Sequence, residues 1–229
     1  MTLELHPNFR LQKLRIGREQ APLLVVDNLV ANPAELVELA AFKVFADVAS
    51  YYPGIRAKVP LTYQRFFIEQ LRGVISEYFG LGAGVLRFTA CHFSLVTTPA
   101  GNLAYLQRIP HIDSFASHEL AFVHYLFQSN LGGTAFYRHR KTGFEFVDQA
   151  RRPDYCRIRA EEELGPDTPP SGYINGDTPL YEQVEQLEGV FNRLVLYRRN
   201  SLHSGSINPN FPLDPNPRSG RLSINGFLA

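Results

Sequence analysis

The sequence predicts an α+β fold that is mainly β, a jelly roll whose preceding helices pack on one sheet. The chain has 229 residues, 45% of them hydrophobic and 20% charged, which is enough to bury a sizeable core. Segments rich in β-forming residues fill the C-terminal two thirds, and two segments with helical periodicity precede them. We therefore expect a single domain over residues 1–229, with a helical support in 1–84 and a β core in 85–229.

The N-terminal support is predicted from short local patterns. Residues 22–27 form an apolar run, Pro-Leu-Leu-Val-Val-Asp, that is typical of a strand. Asn32 followed by Pro33 indicates the start of a helix, because proline is favoured at the first helical position. Residues 61–79 carry apolar side chains at helical spacing and predict a second helix, which the glycine-rich residues 80–84 would end.

The β core is predicted from five segments bounded by turn residues, and one long interruption separates them. Residues 148–189 are rich in Pro, Gly, Asp and Glu, so we expect a surface insertion there, a common setting for a lid. A short helix is predicted at 179–187, at the end of this insertion. The predicted strands are residues 85–96, 120–127, 143–147, 191–197 and 221–228.

Composition and charge argue against several classes of protein. The formal net charge is +1, so no overall positive field favours nucleic acid. No apolar stretch is long enough to indicate a membrane span, and no signal sequence is recognised. The two cysteines, Cys91 and Cys156, are too few for a disulfide framework. We expect a cytoplasmic protein that acts on a small-molecule or peptide substrate. Its oligomeric state stays open, a homodimer included.

Candidate metal ligands come from two separate segments. His111 and Asp113 stand two residues apart, and in a strand such residues point to the same face and can bind one ion together. His203 follows a predicted strand and can supply the third ligand. Two histidines and one carboxylate suit a divalent metal such as iron(II) or zinc, and we call these three residues the triad. For His111 and Asp113 alone, a turn in which Asp113 caps a backbone amide is the simpler alternative.

A candidate carboxylate receptor follows the triad. Arg221 and Ser223 share one face of the last predicted strand, and a guanidinium beside a hydroxyl can bind a carboxylate at two points. Arg218 is a second candidate for the same role, although it lies in a loop among prolines. An ion pair at the surface is the default role of either arginine.

In this order of motifs, His-x-Asp, a distal His and then Arg-x-Ser, the sequence resembles the iron(II)- and 2-oxoglutarate-dependent oxygenases over about residues 85–228. Tyr125 and the Gly-Gly pair at 132–133 make it most similar to the prolyl-hydroxylase branch. Residues 22–27 and 52–56 also resemble an uncharacterised bacterial group of such proteins. The resemblance implies a double-stranded β-helix, which is a form of jelly roll.

The resemblance also implies cofactors and residue roles. Fe(II) would bind to the triad, and 2-oxoglutarate, the cosubstrate, would bind to Arg221 and Ser223. Tyr125 would help to hold the distal carboxylate of 2-oxoglutarate, a role that competes with that of a core aromatic residue. His124 neighbours Tyr125 and points to the other face, so we expect a packed histidine there. The implied activity is hydroxylation of an amino-acid side chain, free or in a peptide and proline-like, with release of succinate and CO₂.

Two functions of other classes stay open. A non-catalytic binding module on the same fold would keep the pocket without turnover. A cupin-like metalloenzyme would use the triad without 2-oxoglutarate, and Arg221 would then lie at the surface. Substrate specificity in such folds depends on loops, so the sequence does not identify the substrate.

Overall fold

The computed structural model describes residues 2–47, 52–82, 86–210 and 213–229. Within them the chain forms eleven strands, all paired antiparallel, and four α-helices. In chain order the elements are β1 (Arg10–Ile16), β2 (Ala21–Asp27), α1 (Pro33–Ala41), β3 (Ala46–Asp47), β4 (Gly54–Lys58), α2 (Leu61–Phe79), β5 (Phe88–Val96), a 3₁₀ turn (Ala100–Asn102), α3 (Tyr105–Arg108), β6 (Leu120–Tyr125), β7 (Gly132–His139), α4 (Arg152–Glu163), β8 (Tyr181–Glu188), β9 (Leu194–Arg198), β10 (His203–Ile207) and β11 (Leu222–Leu228).

The strands form a large and a small sheet. The large sheet has eight strands in the order β1-β2-β9-β6-β11-β5-β4-β3, and the small sheet has three in the order β10-β7-β8. Strands that are distant in sequence are neighbours here, since β9 lies between β2 and β6 and β11 lies between β6 and β5. Such crossovers are typical of jelly rolls. The mainly β composition is therefore confirmed, and the arrangement is jelly-roll-like.

The outer face of the large sheet is covered by helices. Alternate residues of a strand point to opposite faces, and Phe93 of β5, Phe122 of β6 and Ile224 of β11 all point outward. Leu36 of α1 and Phe67 of α2 pack on them in one apolar core. The predicted packing of the helices on one sheet is therefore confirmed, and α2 covers residues 61–79 as predicted.

The inner face of the large sheet turns toward the small sheet. Val25, Tyr125 and Val195 pack there with Phe136 of β7 in a second apolar cluster. On the large sheet, the described members of this inner cluster come from β1, β2, the β6 region, β9 and Phe227 of β11, and none comes from β4 or β5. The inner cluster therefore leaves the β4–β5 end of this face without apolar cover.

The predicted helix at 179–187 is wrong, because these residues form strand β8. The sequence Tyr-Glu-Gln-Val-Glu-Gln-Leu-Glu places apolar residues three apart, which imitates a helical period. β8 nevertheless pairs with β7 over its whole length, with an irregularity between Phe136 and Tyr137. Pairing with a neighbouring strand outweighs the helical propensity of Glu and Gln here.

Two further differences concern strands. The predicted strand at 143–147 is wrong, and the described structure there contains only a bridge between Phe146 and Ser201, because the chain turns after β7 with Gly143 at a φ of 75°. In the first third, β1 to β4 belong to the large sheet, so residues 1–84 are more than a helical support. β1 was missed because its pattern, Arg-Leu-Gln-Lys-Leu-Arg-Ile, is rich in charge.

The interval 148–189 is only partly an insertion, since β8 belongs to the small sheet. Helix α4 was not predicted from the sequence. This helix is held by a hydrogen bond of 2.8 Å between Glu162 and His139 of β7, and His139 is fully buried. His139 points away from the inner cluster, so α4 covers the outer side of the small sheet and not the sheet interior.

Two predicted boundaries fall partly on residues that the structure does not describe. Gly80, with a φ of 61°, ends α2 as predicted, but residues 83–84 of the predicted glycine-rich stop and the predicted strand start at Val85 lie outside the described residues. In the described ranges, no helix combines the length and apolar character needed to cross a membrane.

Candidate metal centre

Two histidines of the triad are brought together by a short backbone bridge. The N–H of His111 donates to the carbonyl of His203 at 2.8 Å, and the N–H of His203 donates to the carbonyl of His111 at 3.0 Å. Residues paired in this way project their side chains to the same side. The two imidazole rings accordingly lie next to each other, with centroids 4.4 Å apart. β10 pairs His203 with Phe136, which places its ring on the inner side of the small sheet.

Asp113 joins the two histidines from a bend and not from a strand as predicted. Its carboxylate oxygens lie 3.9 Å from Nε2 of His111 and 3.5 Å from Nε2 of His203. Arg199 holds the backbone of Asp113 at two points: its carbonyl accepts from the N–H of Asp113 at 2.8 Å, and its Nη2 donates to the carbonyl of Asp113 at 3.0 Å. Glu119 orients Arg199 through an ion pair of 2.6 Å.

Arg199 is therefore a positioning residue that the sequence analysis missed as such. It lies four residues before His203 and contacts Asp113 only through the fold. No spacing in the sequence indicates this contact, because it depends on the pairing between the segment of His111 and the segment of His203.

The triad has the donor set of a divalent metal site. One possible ligand atom from each residue lies within 4.8 Å of the others. Nδ1 of His203 donates to the carbonyl of Ser201 at 2.9 Å, because a carbonyl only accepts. In the neutral ring this leaves Nε2 unprotonated and facing Asp113. Metal-binding histidines are commonly oriented in this way, by a hydrogen bond from the ring nitrogen that does not bind the metal. Neutral imidazoles with a carboxylate suit iron(II) or zinc.

The triad is open to solvent on one side. The exposed fraction of the side chain is 43% for His111, 18% for Asp113 and 6% for His203. Although the edge of His111 is accessible, its pKa is lowered to about 4. The larger cause is desolvation within the site, and the second is the neighbouring His203. The His111 imidazole is therefore neutral at pH 7 and its lone pair is available.

Arg221 is buried and has no acidic partner among the described residues. It is 4% exposed. Its Nε donates to the carbonyl of Leu131 at 3.1 Å, and its Nη2 donates to the carbonyl of Gly133 at 2.7 Å. Desolvation lowers the pKa of Arg221, but a guanidinium stays protonated in proteins. Because a buried cation without an anion is costly, a ligand carboxylate would be stabilised here.

Three tyrosines surround the Arg221 guanidinium. Electrostatic interactions with Tyr125, Tyr52 and Tyr173 raise the pKa of Arg221, in opposition to desolvation. Desolvation raises the pKa of each tyrosine, so their hydroxyls are protonated at pH 7. Tyr173 comes from the predicted insertion and donates to the carbonyl of Thr98 at 2.6 Å. The roles of Tyr52 and Tyr173 near Arg221 were not predicted from the sequence, because both residues belong to loops.

Ser223 lies in one row with Tyr125 and Ser94. It pairs with Tyr125 of β6 on one side and with Ser94 of β5 on the other, so all three side chains point to the inner face. The hydroxyl of Ser223 donates to Oδ1 of Asn225 at 2.7 Å, and the hydroxyl of Tyr125 lies 2.6 Å from Oγ1 of Thr134. Arg221 precedes β11 by one residue, and its guanidinium carbon lies 6.0 Å from the centroid of the Tyr125 ring.

Two other residues considered in the sequence have structural contacts. Arg218 is exposed and makes hydrogen bonds of 2.9 and 2.6 Å to the carboxylate of Glu38, which favours Arg221 over Arg218 as the carboxylate receptor. His124 is packed, as predicted. It accepts from the Tyr63 hydroxyl at 3.0 Å and donates to Oδ1 of Asn192 at 3.1 Å, and burial lowers its pKa to about 4.

Arg56 of β4 connects the triad with the surroundings of Arg221. Desolvation lowers the pKa of Arg56, whereas interactions with Tyr52 and with the Asp113 carboxylate raise it. Its guanidinium carbon lies 4.3 Å from the centroid of the Tyr52 ring, and Tyr52 interacts with Arg221 as well. Arg221 and His203 also contact the same inner cluster, Arg221 through Tyr125 and Phe127 and His203 through Phe136 and Tyr197, so both face the space between the two sheets.

Comparisons with known proteins agree with this fold. A family model described as "Family of unknown function (DUF6445)" matches residues 7–228. No curated protein matches the chain in sequence. Among solved structures, the chain is similar to SnoN, a non-heme alpha ketoglutarate dependent epimerase from nogalamycin biosynthesis. The identity is 14% over 92% of this chain and 78% of SnoN, with a TM-score of 0.52.

HygX from Streptomyces hygroscopicus is similar too. With nickel and 2-oxoglutarate bound, it is 13% identical over 93% of this chain and 87% of HygX, with a TM-score of 0.51. With iron bound, it is 12% identical over 93% of this chain and 86% of HygX, with a TM-score of 0.51. At such low identities these comparisons show that the chain shares the fold of SnoN and HygX.

Proposed function

The chain belongs to the DUF6445 family, and we propose that it is an iron(II)- and 2-oxoglutarate-dependent dioxygenase. The triad would bind Fe(II), and Arg221 would bind the distal carboxylate of 2-oxoglutarate. The observation that carries this proposal is the buried Arg221, which has no acidic partner in the described chain and contacts the same inner cluster as His203 of the triad. The shared fold of HygX, solved with nickel and 2-oxoglutarate, supports the choice of cosubstrate.

In such a reaction each part of the site would have a distinct role. Fe(II) with 2-oxoglutarate and O₂ supplies the oxidation of a substrate C–H bond, with release of succinate and CO₂. Arg221 would bind and orient a carboxylate through a charge-assisted contact, and Tyr125, whose ring centroid lies 6.0 Å from the guanidinium carbon, would assist. Ser201 fixes the orientation of the His203 ring. The inner cluster excludes water from one side of the site.

Within this class we propose hydroxylation of an amino-acid side chain, free or in a peptide, with a proline-like side chain as the first candidate. The resemblance of the sequence to the prolyl-hydroxylase branch supports this choice. SnoN, which shares the fold, is an epimerase. The product of the reaction therefore needs to be identified, because hydroxylation and epimerisation begin from the same kind of C–H bond.

The proposal is tested by visible absorption of the protein under anaerobic conditions. Fe(II) and 2-oxoglutarate are added separately and then together. We expect a weak metal-to-ligand charge-transfer band that needs both, since only chelation of the metal by 2-oxoglutarate produces it. His203→Ala should abolish the band. His118→Ala, at an exposed histidine outside the triad, is the matched control and should keep it.

The other outcomes identify which part of the proposal fails. Fe(II) binding without a band would indicate a metalloenzyme that does not use 2-oxoglutarate. No Fe(II) binding by the folded protein would contradict the metal site and favour a binding module. Succinate release with and without candidate substrates then separates turnover from binding alone.

A further inference from the structure

A strip of basic side chains lies at the end of the inner face that the inner cluster does not reach. Arg56 and Lys58 belong to β4, and His92 belongs to β5. Lys58 pairs with His92, and Arg56 pairs with Ser94. By strand alternation all three basic side chains point to the inner face, the face of Ser223. We call Arg56, Lys58 and His92 the cationic strip.

The cationic strip makes no ion pair with a carboxylate of the described residues. Asp47, the acidic residue of the neighbouring β3, pairs with Ile55 and therefore lies on the other face. Within the described chain, Nε of Arg56 is buried and has no hydrogen-bond partner. An unpaired buried donor costs free energy, and the cost is larger for a charged group. An anionic ligand beside the accessible part of the Arg56 side chain would offset this cost by its charge.

The strip is both held in place and accessible. The Arg56 guanidinium stacks on the ring of Tyr52 at 4.3 Å, which orients its donors. Arg56 and His92 are half-buried, and Lys58 is exposed. Desolvation and then the charges of Arg56 and Lys58 lower the pKa of His92. The strip is therefore positive through Arg56 and Lys58 even when His92 is neutral.

The strip also lies within reach of the triad. The strip points to the inner face, and the His203 ring packs against Phe136 and Tyr197 of the inner cluster on that same face. The charge of Asp113 also raises the pKa of Arg56 against desolvation. The edge of the triad that is open to solvent belongs to His111. A molecule of modest size can thus contact Arg56 and still present a C–H bond to the triad.

We propose that the cationic strip binds an oxyanion group of the substrate, a carboxylate or a phosphate, and that the enzyme therefore acts on anionic substrates. This inference rests on the proposed function, because it assigns the strip to the substrate and Arg221 to the cosubstrate. An amino acid with a free carboxylate, or a peptide with an acidic neighbour, has the required chemistry. A neutral substrate of the same shape would not compensate the charge of Arg56 and would bind more weakly.

The test is calorimetric titration of the metal-free full-length protein with inorganic phosphate and, separately, with acetate. The stronger of the two ligands indicates whether the natural group is a phosphate or a carboxylate. Arg56→Gln should weaken binding of the preferred anion by about tenfold or more, and Lys58→Gln by a few-fold. Arg65→Gln is the matched control. Arg65 is an exposed arginine of α2, on the helix-covered side of the large sheet, so its loss should change nothing.

Equal affinities for the wild-type protein, Arg56→Gln and Lys58→Gln would overturn the inference. So would a loss of anion binding in Arg221→Met but not in Arg56→Gln, because the anion would then occupy the cosubstrate position. Lys58 is exposed, so Lys58→Gln keeps the test valid if Arg56→Gln fails to fold. The titration needs neither Fe(II) nor 2-oxoglutarate, whereas the absorption experiment on the wild-type protein needs both. The two proposals can therefore fail independently.

Discussion

Replacing Arg221 by Met tests the assignment of the cosubstrate most directly. The side chain of Met has a similar reach but carries neither charge nor hydrogen-bond donors. In the free protein the change removes hydrogen bonds to the carbonyls of Leu131 and Gly133, and it also removes a buried cation without an acidic partner in the described chain. These two effects oppose each other, because a buried uncompensated charge is itself destabilising. We therefore expect Arg221→Met to fold.

Its effect on 2-oxoglutarate should be large. A hydrogen bond to a charged group is worth about 1.5–3 kcal/mol, and a guanidinium facing a carboxylate makes two such bonds. Losing both costs at least about 3 kcal/mol. Since 1.4 kcal/mol corresponds to a factor of ten in a dissociation constant, the affinity for 2-oxoglutarate should fall by at least about 100-fold.

The assay is titration of 2-oxoglutarate into the Fe(II)-loaded protein under anaerobic conditions, followed by the charge-transfer band. Arg218→Met is the matched control, because it makes the same change at an exposed arginine that is paired with Glu38. Arg218→Met should bind 2-oxoglutarate like the wild-type protein. Wild-type affinity in Arg221→Met, or a loss confined to Arg218→Met, would refute the reasoning.

Three further predictions concern the metal site and the core. His203→Gln should weaken Zn(II) binding, measured by calorimetry, more than any change outside the triad, and equal binding would contradict its role as a ligand. Arg199→Gln should weaken the same binding by about 10- to 100-fold, because Arg199 positions the backbone of Asp113; a stability loss with unchanged Zn(II) affinity would show a purely structural role. Burial lowers the pKa of His124 to about 4, below its unfolded value of about 6.5, so the unfolded state takes up the proton first. The free energy of unfolding should therefore keep its full contribution from neutral His124 above about pH 6.5. It should fall by about 3 kcal/mol as the pH falls toward 4. Urea unfolding across this range should show a shallower loss for His124→Gln, and an unchanged slope would exclude His124 as the cause.

The secondary structure was predictable where local patterns agree with the final packing. α2 has an apolar stripe and a glycine with positive φ at its end, and both bounds were predicted. β8 was not, because its spacing of apolar residues imitates a helix while its partner strand β7 decides the conformation. β1 was not predicted because its many charged side chains do not give the apolar pattern of a strand. Pairing with β2 nevertheless stabilises it as an edge strand.

For the site, the sequence pattern identified residues but not the means of bringing them together. The motif order predicted the three members of the triad and Arg221, and the structure places the former within 4.8 Å of one another. The predicted mechanism, two residues on one strand face, is not what positions Asp113. A bend and two contacts with Arg199 do so instead.

By itself, the sequence determined which chemical groups are present and in what order, because ligand type and the alternation of apolar residues are local properties. It also determined the mainly β class through five β-rich segments, four of which contain a strand in the described structure. The tertiary structure decided the rest. The bridge between His111 and His203, the burial of Arg221 without an acidic partner among the described residues, and the open cationic strip all depend on pairings between distant strands. Such pairings follow from the free energy of the whole packed sheet and leave no mark in any single segment.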